Sequence, residues 1–311
     1  MHPIICIAGP TGSGKTALSI ALAKELDGEV VSCDSMQIYR HMDIGTAKPT
    51  SKEMDGIPHH MLSIAEPDED FSVSRYCNMA SPIVDDIVAR GKTAIIVGGT
   101  GLYMDALIRG NSFAPYPATG RREELETLAD ECGIEAVVAK LREVDPESAD
   151  RLHPSDRKRI IRAMEVYLET GISITEHNRR TQQLPDRYHP VWFALEDENR
   201  QDLYDRIDRR VDKMLSDGLL QEIRNLLAMG IPEKCTAMQA IGYKEYVDAF
   251  MGRCTMEEAT ELVKQASRHY AKRQLTWFRR NKAICWLRRR PGEGTQEILA
   301  RARQHLRDFD K

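Results

Sequence analysis

The apolar run Ile4 to Ala8 leads directly into a glycine-rich segment, Gly9-Pro10-Thr11-Gly12-Ser13-Gly14-Lys15-Thr16, and an Ala/Leu-rich helical stretch follows. The spacing G-x-x-x-x-G-K-T turns backbone N–H groups toward phosphate oxygens and supplies a lysine for the terminal phosphates and a threonine hydroxyl for Mg²⁺. The N-terminus of the following helix adds partial positive charge. All eight residues, Gly9 to Thr16, are therefore predicted to bind a di- or triphosphate.

The first 110 residues alternate between strand and helix patterns. Apolar runs predict strands at Ile4 to Ala8, Glu29 to Cys33, His60 to Ile64 and Thr93 to Val97, and helical patterns cover Lys15 to Leu26 and Ser74 to Ala89. Such alternation predicts an α/β fold with a doubly wound parallel sheet, similar to that of P-loop NTPases.

The pattern changes after residue 110. A linker is expected at Phe113 to Pro117, and the helical patterns that follow cover Arg121 to Cys132, Glu135 to Val144 and Ser155 to Thr170. The sheet resumes at Val191 to Leu195 and ends at Ile284 to Leu287, with helices at Gln201 to Ser216, Leu219 to Met229 and Met256 to Phe278 between them and one after. We therefore expect a catalytic core at 1–111 and 191–311 and an inserted all-helical domain at 112–190.

Composition excludes several classes of protein. The 311 residues are 30% charged and contain no apolar stretch near the length of about 18 residues that a membrane span needs. The amino terminus lacks a basic region followed by a cleavage site, so we expect no export signal and a cytoplasmic protein. Seven scattered cysteines without a C-x-x-C pair favour reduced thiols and argue against a zinc module.

Two further strand ends carry candidate site residues. Asp34 follows the second strand in Ser32-Cys33-Asp34-Ser35-Met36-Gln37-Ile38-Tyr39, where it could accept a proton or bind Mg²⁺, or instead cap the next turn. Gln37 and Tyr39 could hydrogen-bond to a base and stack on it, or serve as ordinary loop residues. The fourth strand ends in Gly98-Gly99-Thr100-Gly101 without the acidic residue that hydrolytic enzymes use for Mg²⁺, which weakens the case for hydrolysis. Gly99 and Gly101 are equally consistent with ligand approach and with close packing of the next helix.

Basic residues supply further candidates. Arg206 and Arg210 share one helix face and could jointly reach a polyphosphate, whereas Arg209 is expected to be solvated. The chain carries a net charge of −4, yet no Asp or Glu lies between Glu261 and Glu293. That window contains a basic stripe: Lys264, Arg268, Lys272, Arg273, Arg279, Arg280, Lys282, Arg288, Arg289 and Arg290. The stripe is typical of a surface that binds a phosphate backbone, or of a solvated face, and we expect most of its interleaved aromatic residues to be core.

Seven segments together resemble one known family, the bacterial tRNA dimethylallyltransferases, also called tRNA isopentenyltransferases. In chain order these are Gly9 to Thr16, Asp34 to Tyr39, Met42 to Pro49, Gly98 to Tyr103, Arg159 to Tyr167, Gln239 to Glu245 and Lys272 to Phe278. The resemblance covers the chain from end to end. The chain lacks the carboxy-terminal zinc finger of the eukaryotic members, which indicates a bacterial-type enzyme.

The resemblance implies transfer of a dimethylallyl group from dimethylallyl diphosphate to the N6 amine of the adenosine 3′-adjacent to the tRNA anticodon, with release of diphosphate. Lys15, Thr16 and Arg210 would neutralise the leaving group, Mg²⁺ held at Thr16 would assist, and Asp34 would accept the amine proton. The catalytic residues on this hypothesis are Asp34, Thr16 and Arg210. The partners are tRNA and the isoprenoid diphosphate, with no membrane, and we expect a monomer.

The resemblance also assigns positions that contact tRNA, where the target base is expected to flip into a channel through the core. These positions are Asp34, Ser35, Met36, Gln37, Thr100, Arg122, Lys158, Arg159, Ile160, Ile161, Arg162, Gln239, Ala240, Ile241, Gly242, Tyr243 and Lys244. Arg122 is assigned by its ungapped spacing from Thr100.

Three alternatives remain at this stage. A P-loop small-molecule kinase would use the same loop for ATP and Asp34 as a base, but would need neither the basic stripe nor the second basic cluster, which runs from His153 to Arg159 in the insertion. An RNA-binding module without activity would leave Lys15, Thr16 and Asp34 without a role. An isopentenyltransferase acting on free adenine nucleotides would not need the segments that face RNA.

Overall fold

The computed structural model describes residues 4–110 and 119–309. By its internal contacts the chain divides into two compact units, one made of Met1–Gly110 and Arg187–Lys311 and the other of Asn111–Asp186. The expected linker at Phe113 to Pro117 lies outside the described residues.

The first unit is built on a six-stranded parallel sheet. The strands are β1 (Ile5–Ala8), β2 (Gly28–Ser32), β3 (His59–His60), β4 (Thr93–Val97), β5 (Val191–Asp197) and β6 (Cys285–Arg289). Their order in the sheet is β3-β2-β4-β1-β5-β6, and every pairing is parallel. Strand β1 therefore lies between β4 and β5, at the point where the winding direction reverses, which is where open α/β sheets bind ligands.

The helices of this unit connect the strands. They are α1 (Lys15–Glu25), α2 (Ser51–Met54), α3 (Val73–Ala89), α4 (Gly101–Arg109), α10 (Arg200–Ser216), α11 (Leu219–Ala228), α12 (Lys244–Phe250), α13 (Met256–Phe278) and α14 (Thr295–Phe309), with a short 3₁₀ turn at Ala237–Gln239. Helices α1 and α14 pack against the sheet around Ile5, Leu22 and Phe193. Helix α4 packs against both α3 and α13, and α3 also packs on β2 and β4, so the expected doubly wound α/β fold is confirmed.

A second hydrophobic cluster in this unit joins the segment after β2 to α11, α12 and the start of α13. Its fully buried members include Ile38, Met42, Ile223, Tyr243 and Tyr246. This cluster supports the loop that follows Met42, which lines the site described below.

The second unit contains only helices in its described residues: α5 (Arg121–Cys132), α6 (Ile134–Val144), α7 (Pro146–Arg151), α8 (Arg157–Thr170) and α9 (Ile174–Gln183). Val137, Leu141, Ile160 and Ile161 form its core. The buried Asp145 begins α7 and accepts hydrogen bonds from Ser148 N and from both the N–H and the hydroxyl of Thr175. One buried carboxylate thus ties three of these segments together.

Some elements differ from the sequence-based predictions. The strand expected at His60 to Ile64 is only two residues long, because Met61 and Ser63 adopt φ values of +63° and +51° that end the extended backbone. Helices α2, α4, α7, α9 and α12 were not predicted. All but α4 and α9 are shorter than eight residues, and α4 follows a glycine-rich strand end that resembles a loop.

Candidate active site

The phosphate loop connects β1 to α1 in the expected manner. Gly9, Gly12 and Gly14 have φ values of +142°, +76° and +88°, a backbone conformation that favours glycine. The Lys15 ammonium donates a hydrogen bond of 2.8 Å to Pro10 O, so the lysine folds back across the loop. The loop thus combines the glycine turns and the lysine that phosphate binding requires.

Gln274 of α13 holds the phosphate loop in register with the end of β4. Its buried amide accepts a hydrogen bond from Thr11 N at 2.9 Å and donates one to Gly99 O at 3.0 Å. A Cβ atom at Gly99 would lie 2.0 Å from the Gln274 amide nitrogen, and one at Gly101 would lie 2.2 Å from the Trp277 ring. Both glycines therefore permit close packing of α13. This favours a packing role for them over the approach of a ligand.

The three arginines of α10 have different surroundings. Arg206 donates to Gly12 O at 3.0 Å and pairs with Asp197 at 2.5 Å, so it braces the phosphate loop from outside. Arg209 is exposed and donates to a carbonyl of its own helix. Arg210 lines the cavity and forms no ion pair with any described residue, and burial lowers the pKa of its guanidinium. Of the pair expected to reach a polyphosphate jointly, only Arg210 is available to a ligand.

A cavity of about 350 Å³ lies beside the phosphate loop, within the first unit. Lys15 and Arg210 line it together with Thr16 and Asp34. Burial lowers the pKa of Lys15 to about 7, Arg210 adds to this effect and Asp34 opposes it. The cavity therefore holds two cationic side chains at the cost of their hydration, an arrangement that a bound anion would relieve.

Asp34 both caps a turn and faces the cavity. Its Oδ1 accepts hydrogen bonds from Met36 N at 2.9 Å and Gln37 N at 3.4 Å. No hydrogen-bond donor of the described residues contacts Oδ2. The two interpretations of this residue are therefore compatible, because one oxygen fixes the loop while the other is left for a ligand.

Neighbouring residues of the same loop have structural partners. Thr100 Oγ1 accepts a hydrogen bond from Ser35 N at 3.1 Å and so joins the ends of β2 and β4. The Gln37 amide donates to Thr46 O and Ala47 O and accepts from Ser32. Tyr39 is 1% exposed, so the interpretation that it stacks on a base is wrong.

The loop of residues 43–49 forms one wall of the cavity and is held by Glu222 of α11. This carboxylate accepts hydrogen bonds from Asp43 N, Ile44 N and Gly45 N at 2.7–3.1 Å and from the Tyr243 hydroxyl at 2.6 Å. Gly45 rests directly on the Tyr243 ring, where a Cβ would lie 2.5 Å away. Tyr243 therefore supports this wall from below and presents no side chain to solvent.

The segment Gln239 to Lys244 is mixed in its exposure. Gln239 and Lys244 are exposed and Ile241 is half-buried, whereas Ala240, Gly242 and Tyr243 are buried. Residues 239–243 also line the cavity. The assignment of the whole segment to RNA contact stays a prediction, and the structure leaves Gln239 and Lys244 as its exposed side chains.

In the second unit, some of the residues expected to face RNA are likewise exposed and others are buried. Lys158 and Arg159 are exposed, whereas Ile160 and Ile161 are at most 1% exposed within the helical core and offer RNA no side chain. Arg122 donates two hydrogen bonds to Glu165, at 3.0 and 3.2 Å, and Arg162 donates one at 2.7 Å. The Glu165 carboxylate thus holds Arg122 and Arg162 side by side.

The basic stripe is partly neutralised. Five of its members form ion pairs: Lys264 with Asp212, Arg268 with Asp208, Arg279 and Arg288 with Glu196, and Arg290 with Glu198. Lys272, Arg273, Arg280 and Lys282 form none with described residues. Arg289 forms none with them either, but it packs against the phosphate loop, where a Cβ at Gly14 would lie 2.7 Å from its guanidinium. Arg280 lies 3.8 Å from the centre of the Trp277 ring. The available positive charge is therefore concentrated in the last two turns of α13 and just beyond.

Three site residues were missed by sequence reasoning: Gln274, Glu222 and Tyr270, the last of which lines the cavity although most aromatic residues of the basic stripe were expected to be core. The described residues contain no group of three or more His, Cys, Asp or Glu side chains that could hold a metal ion. Mg²⁺ often keeps its waters and binds through substrate phosphates and few protein groups. The exposed Thr16 in the cavity wall fits that mode.

Fold and site together define a protein with a P-loop-like fold, whose phosphate loop lies at the switch point of a parallel sheet. The IPP transferase family model matches residues 37–281, and this chain belongs to that family. It is 51% identical to the tRNA dimethylallyltransferase of Geobacillus thermodenitrificans over 284 residues, 91% of this chain and 89% of that protein.

Solved structures agree with this assignment. The full-length tRNA isopentenylpyrophosphate transferase from Bacillus halodurans is 41% identical, with a TM-score of 0.75 over 100% of this chain and 97% of that one. A eukaryotic dimethylallyltransferase acting on tRNA is 30% identical, with a TM-score of 0.84 over 99% of this chain and 80% of that one. In the described part of the chain, no helix is long and apolar enough to span a membrane.

Proposed function

We propose that this protein transfers a dimethylallyl group from dimethylallyl diphosphate to the N6 amine of the adenosine 3′-adjacent to the anticodon of tRNA. The observation that carries the proposal is the shared cavity of Lys15, Arg210 and Asp34, in which two basic side chains, neither in an ion pair with a described residue, lie beside a carboxylate. Membership of the IPP transferase family supports this substrate, and so do the relatives, whose names describe transferases that act on tRNA.

The reaction forms a bond between N6 of adenine and C1 of the dimethylallyl group as the C1–O bond to diphosphate breaks. The electron pair of that bond leaves on the diphosphate oxygen. Lys15, Arg210 and the phosphate-loop N–H groups stabilise the growing negative charge. Asp34 Oδ2 orients the amine and takes its proton as the new bond forms, since a neutral adenine amine is a weak nucleophile.

Mg²⁺ bound at Thr16 would add Lewis-acid stabilisation of the leaving diphosphate. The chain's own contribution is the Thr16 hydroxyl, presented at the start of α1 next to Lys15. The lowered pKa of Lys15 favours the same ligand, because an anion in the cavity restores the charged form of the lysine.

The RNA must deliver a single base into the cavity, which requires the adenosine to leave its stack. The basic side chains without ion pairs at the end of α13 and the exposed Lys158 and Arg159 of the helical insertion are the groups we assign to the RNA backbone. These two basic patches favour a folded RNA over a free nucleotide. They also disfavour a small-molecule kinase, which needs neither patch.

The test is diphosphate release with unmodified tRNA, Mg²⁺ and either dimethylallyl diphosphate or ATP. Release is expected only with the isoprenoid donor and only when tRNA is present. Asp34→Asn should retain diphosphate binding and lose at least about a hundredfold in turnover, the usual size of a general-base contribution. Formation of ADP from ATP, with no diphosphate released from either donor, would instead support the kinase alternative.

A further inference from the structure

Tyr270 of α13 lies in the wall of the active-site cavity, one helical turn before Gln274. The side chains of Thr100 and Gln274 lie close enough to its phenol to lower the pKa of that group, against the larger effect of burial. Arg273 covers one face of its ring, with the guanidinium 5.5 Å from the ring centre. The phenol therefore lies among side chains that also hold the phosphate loop and the end of β4.

Thr100 connects Tyr270 to the Asp34 loop. Its Oγ1 accepts the hydrogen bond from Ser35 N at 3.1 Å, and Ser35 directly follows Asp34. Both Asp34 and Tyr270 line the cavity, so a single ligand can meet both side chains.

The two side chains have opposite hydrogen-bonding character at neutral pH. Burial raises the pKa of Tyr270 to about 12, and the Asp34 charge raises it further in the same direction. The phenol therefore keeps its proton and is able to donate it, whereas an ionised carboxylate only accepts.

We propose that Tyr270 is a specificity residue that donates a hydrogen bond to N1 of the target adenine while Asp34 accepts from N6. This inference rests on the proposed function. The Watson–Crick edge of adenine offers one donor, the N6 amine, beside one acceptor, N1, and enzymes that flip a base read this edge through hydrogen bonds. The Asp34–Tyr270 pair is complementary to that order.

Guanine presents the reverse order, with O6 as an acceptor and N1–H as a donor. In the same pose, its O6 would face the Asp34 carboxylate and its N1–H would face the Tyr270 hydroxyl hydrogen. A site built to hydrogen-bond one base rejects the analogue that leaves its polar groups unpaired. Tyr270 thus contributes to the choice of adenine.

The experiment pairs an enzyme variant with an atomic change in the RNA. Wild type and Tyr270→Phe are compared on an unmodified anticodon stem-loop RNA that carries either adenosine or 1-deazaadenosine at the target position. On adenosine, Tyr270→Phe should lower kcat/KM about tenfold, the effect of one hydrogen bond in a desolvated site. On 1-deazaadenosine, which lacks the N1 acceptor, the two enzymes should agree within about twofold.

Matched controls separate this role from a structural one. Tyr204→Phe removes the same hydroxyl from a tyrosine that packs beside Leu203 and Ile207 and has no hydrogen bond among the described residues, and it should leave kcat/KM unchanged. An equal loss for Tyr270→Phe on both RNAs, or no loss on adenosine, would overturn the inference. Absence of transfer by the wild-type protein would overturn the proposed function, and this inference with it.

Discussion

The Tyr243 hydroxyl donates a hydrogen bond of 2.6 Å to Glu222, and the same carboxylate accepts the backbone N–H groups of Asp43, Ile44 and Gly45. Four donors therefore converge on one side chain, and the segment of residues 239–244 is linked through it to a wall of the cavity. Burial, together with Glu222, raises the pKa of the Tyr243 phenol well above its usual value, so the phenol remains a donor.

Tyr243→Phe removes one of these four donors without changing the ring beneath Gly45. We expect the free energy of unfolding to fall by about 1 kcal/mol, and KM for tRNA to rise more than KM for the diphosphate. Urea unfolding and steady-state kinetics measure the two effects. The matched control is Tyr246→Phe, whose hydroxyl hydrogen-bonds, among the described residues, to the neutral Thr260 at 3.1 Å. Equal changes in both Michaelis constants would contradict a link to RNA binding.

Gln274→Met keeps the volume of the side chain but removes both hydrogen bonds of the clamp, leaving Thr11 N–H and Gly99 O unpaired. The buried location predicts a loss of about 2 kcal/mol in stability and a weaker affinity for inorganic diphosphate, by about tenfold. Calorimetric titration with diphosphate measures the affinity. Gln265→Met, at an exposed position of the same helix, should change neither quantity. An unaltered affinity in Gln274→Met would show that the loop holds its shape without the clamp.

The lowered pKa of Lys15 predicts that the protein takes up a proton when it binds diphosphate. Its pKa is lowered from 10.5 to about 7, so the folded protein binds fewer protons than the unfolded chain between these values. Below pH 7 the folded state bears the full free-energy cost of carrying a protonated Lys15, and this cost disappears as pH rises to 10.5. Through this group, the folded state therefore becomes more stable relative to the unfolded chain as pH rises. At pH 8 the free enzyme carries mostly neutral Lys15, and a bound anion should recharge it.

Calorimetric titration with diphosphate at pH 8, in two buffers of different ionisation enthalpy, counts these protons. The wild type should take up close to one proton more than Lys15→Arg, whose guanidinium is always charged. Identical proton uptake by the two proteins would mean that Lys15 is already charged in the free enzyme.

The ion pairs of Glu29 should stabilise the folded protein at neutral pH and cease to do so in acid. The buried carboxylate is bound by Arg90 at 2.5 and 2.9 Å, by His60 at 2.8 Å and by Lys92 at 3.4 Å. Hydrogen bonds from Arg90 lower its pKa from 4.5 to about 2, against the effect of burial. A carboxylate whose pKa is lowered on folding stabilises the protein above its unfolded pKa, and this stabilisation is lost as pH falls from about 4.5 through 2.

Glu29→Gln should therefore lower the free energy of unfolding by about 2 kcal/mol at pH 7, and the difference from wild type should vanish near pH 2. Urea unfolding across this range measures it. Glu143→Gln, at an exposed position without an ion pair among the described residues, serves as the control and should remain within about 0.5 kcal/mol of wild type. A difference that persists at pH 2 would assign the effect to shape and not to charge.

Local sequence patterns were sufficient to predict the strand, loop and helix that form the phosphate site. The G-x-x-x-x-G-K-T spacing, the strand before it and the helix after it are all where the sequence predicts them, and Met256–Phe278 has the expected bounds. These features depend on residues close together in the chain, where periodicity and turn chemistry operate.

The contacts that complete the site depend on pairs far apart in sequence. Thr11 and Gln274 are 263 residues apart, and Gly45 and Glu222 are 177 apart. Tyr270 could not be singled out as a site residue because helical spacing alone does not distinguish a core face from a face that lines a cavity. For the same reason, Arg206 and Arg210 looked equivalent until Asp197 and Gly12 O were found beside only one of them.

Transfer of the dimethylallyl group is seen directly by mass spectrometry of nuclease-digested tRNA that initially lacks the modification, after incubation with the protein, Mg²⁺ and dimethylallyl diphosphate. The account predicts the mass gain of one five-carbon group on a single adenosine, the one 3′-adjacent to the anticodon, and no gain when ATP replaces the isoprenoid donor. An unmodified adenosine with the isoprenoid donor, accompanied by consumption of ATP in the parallel reaction, would contradict it.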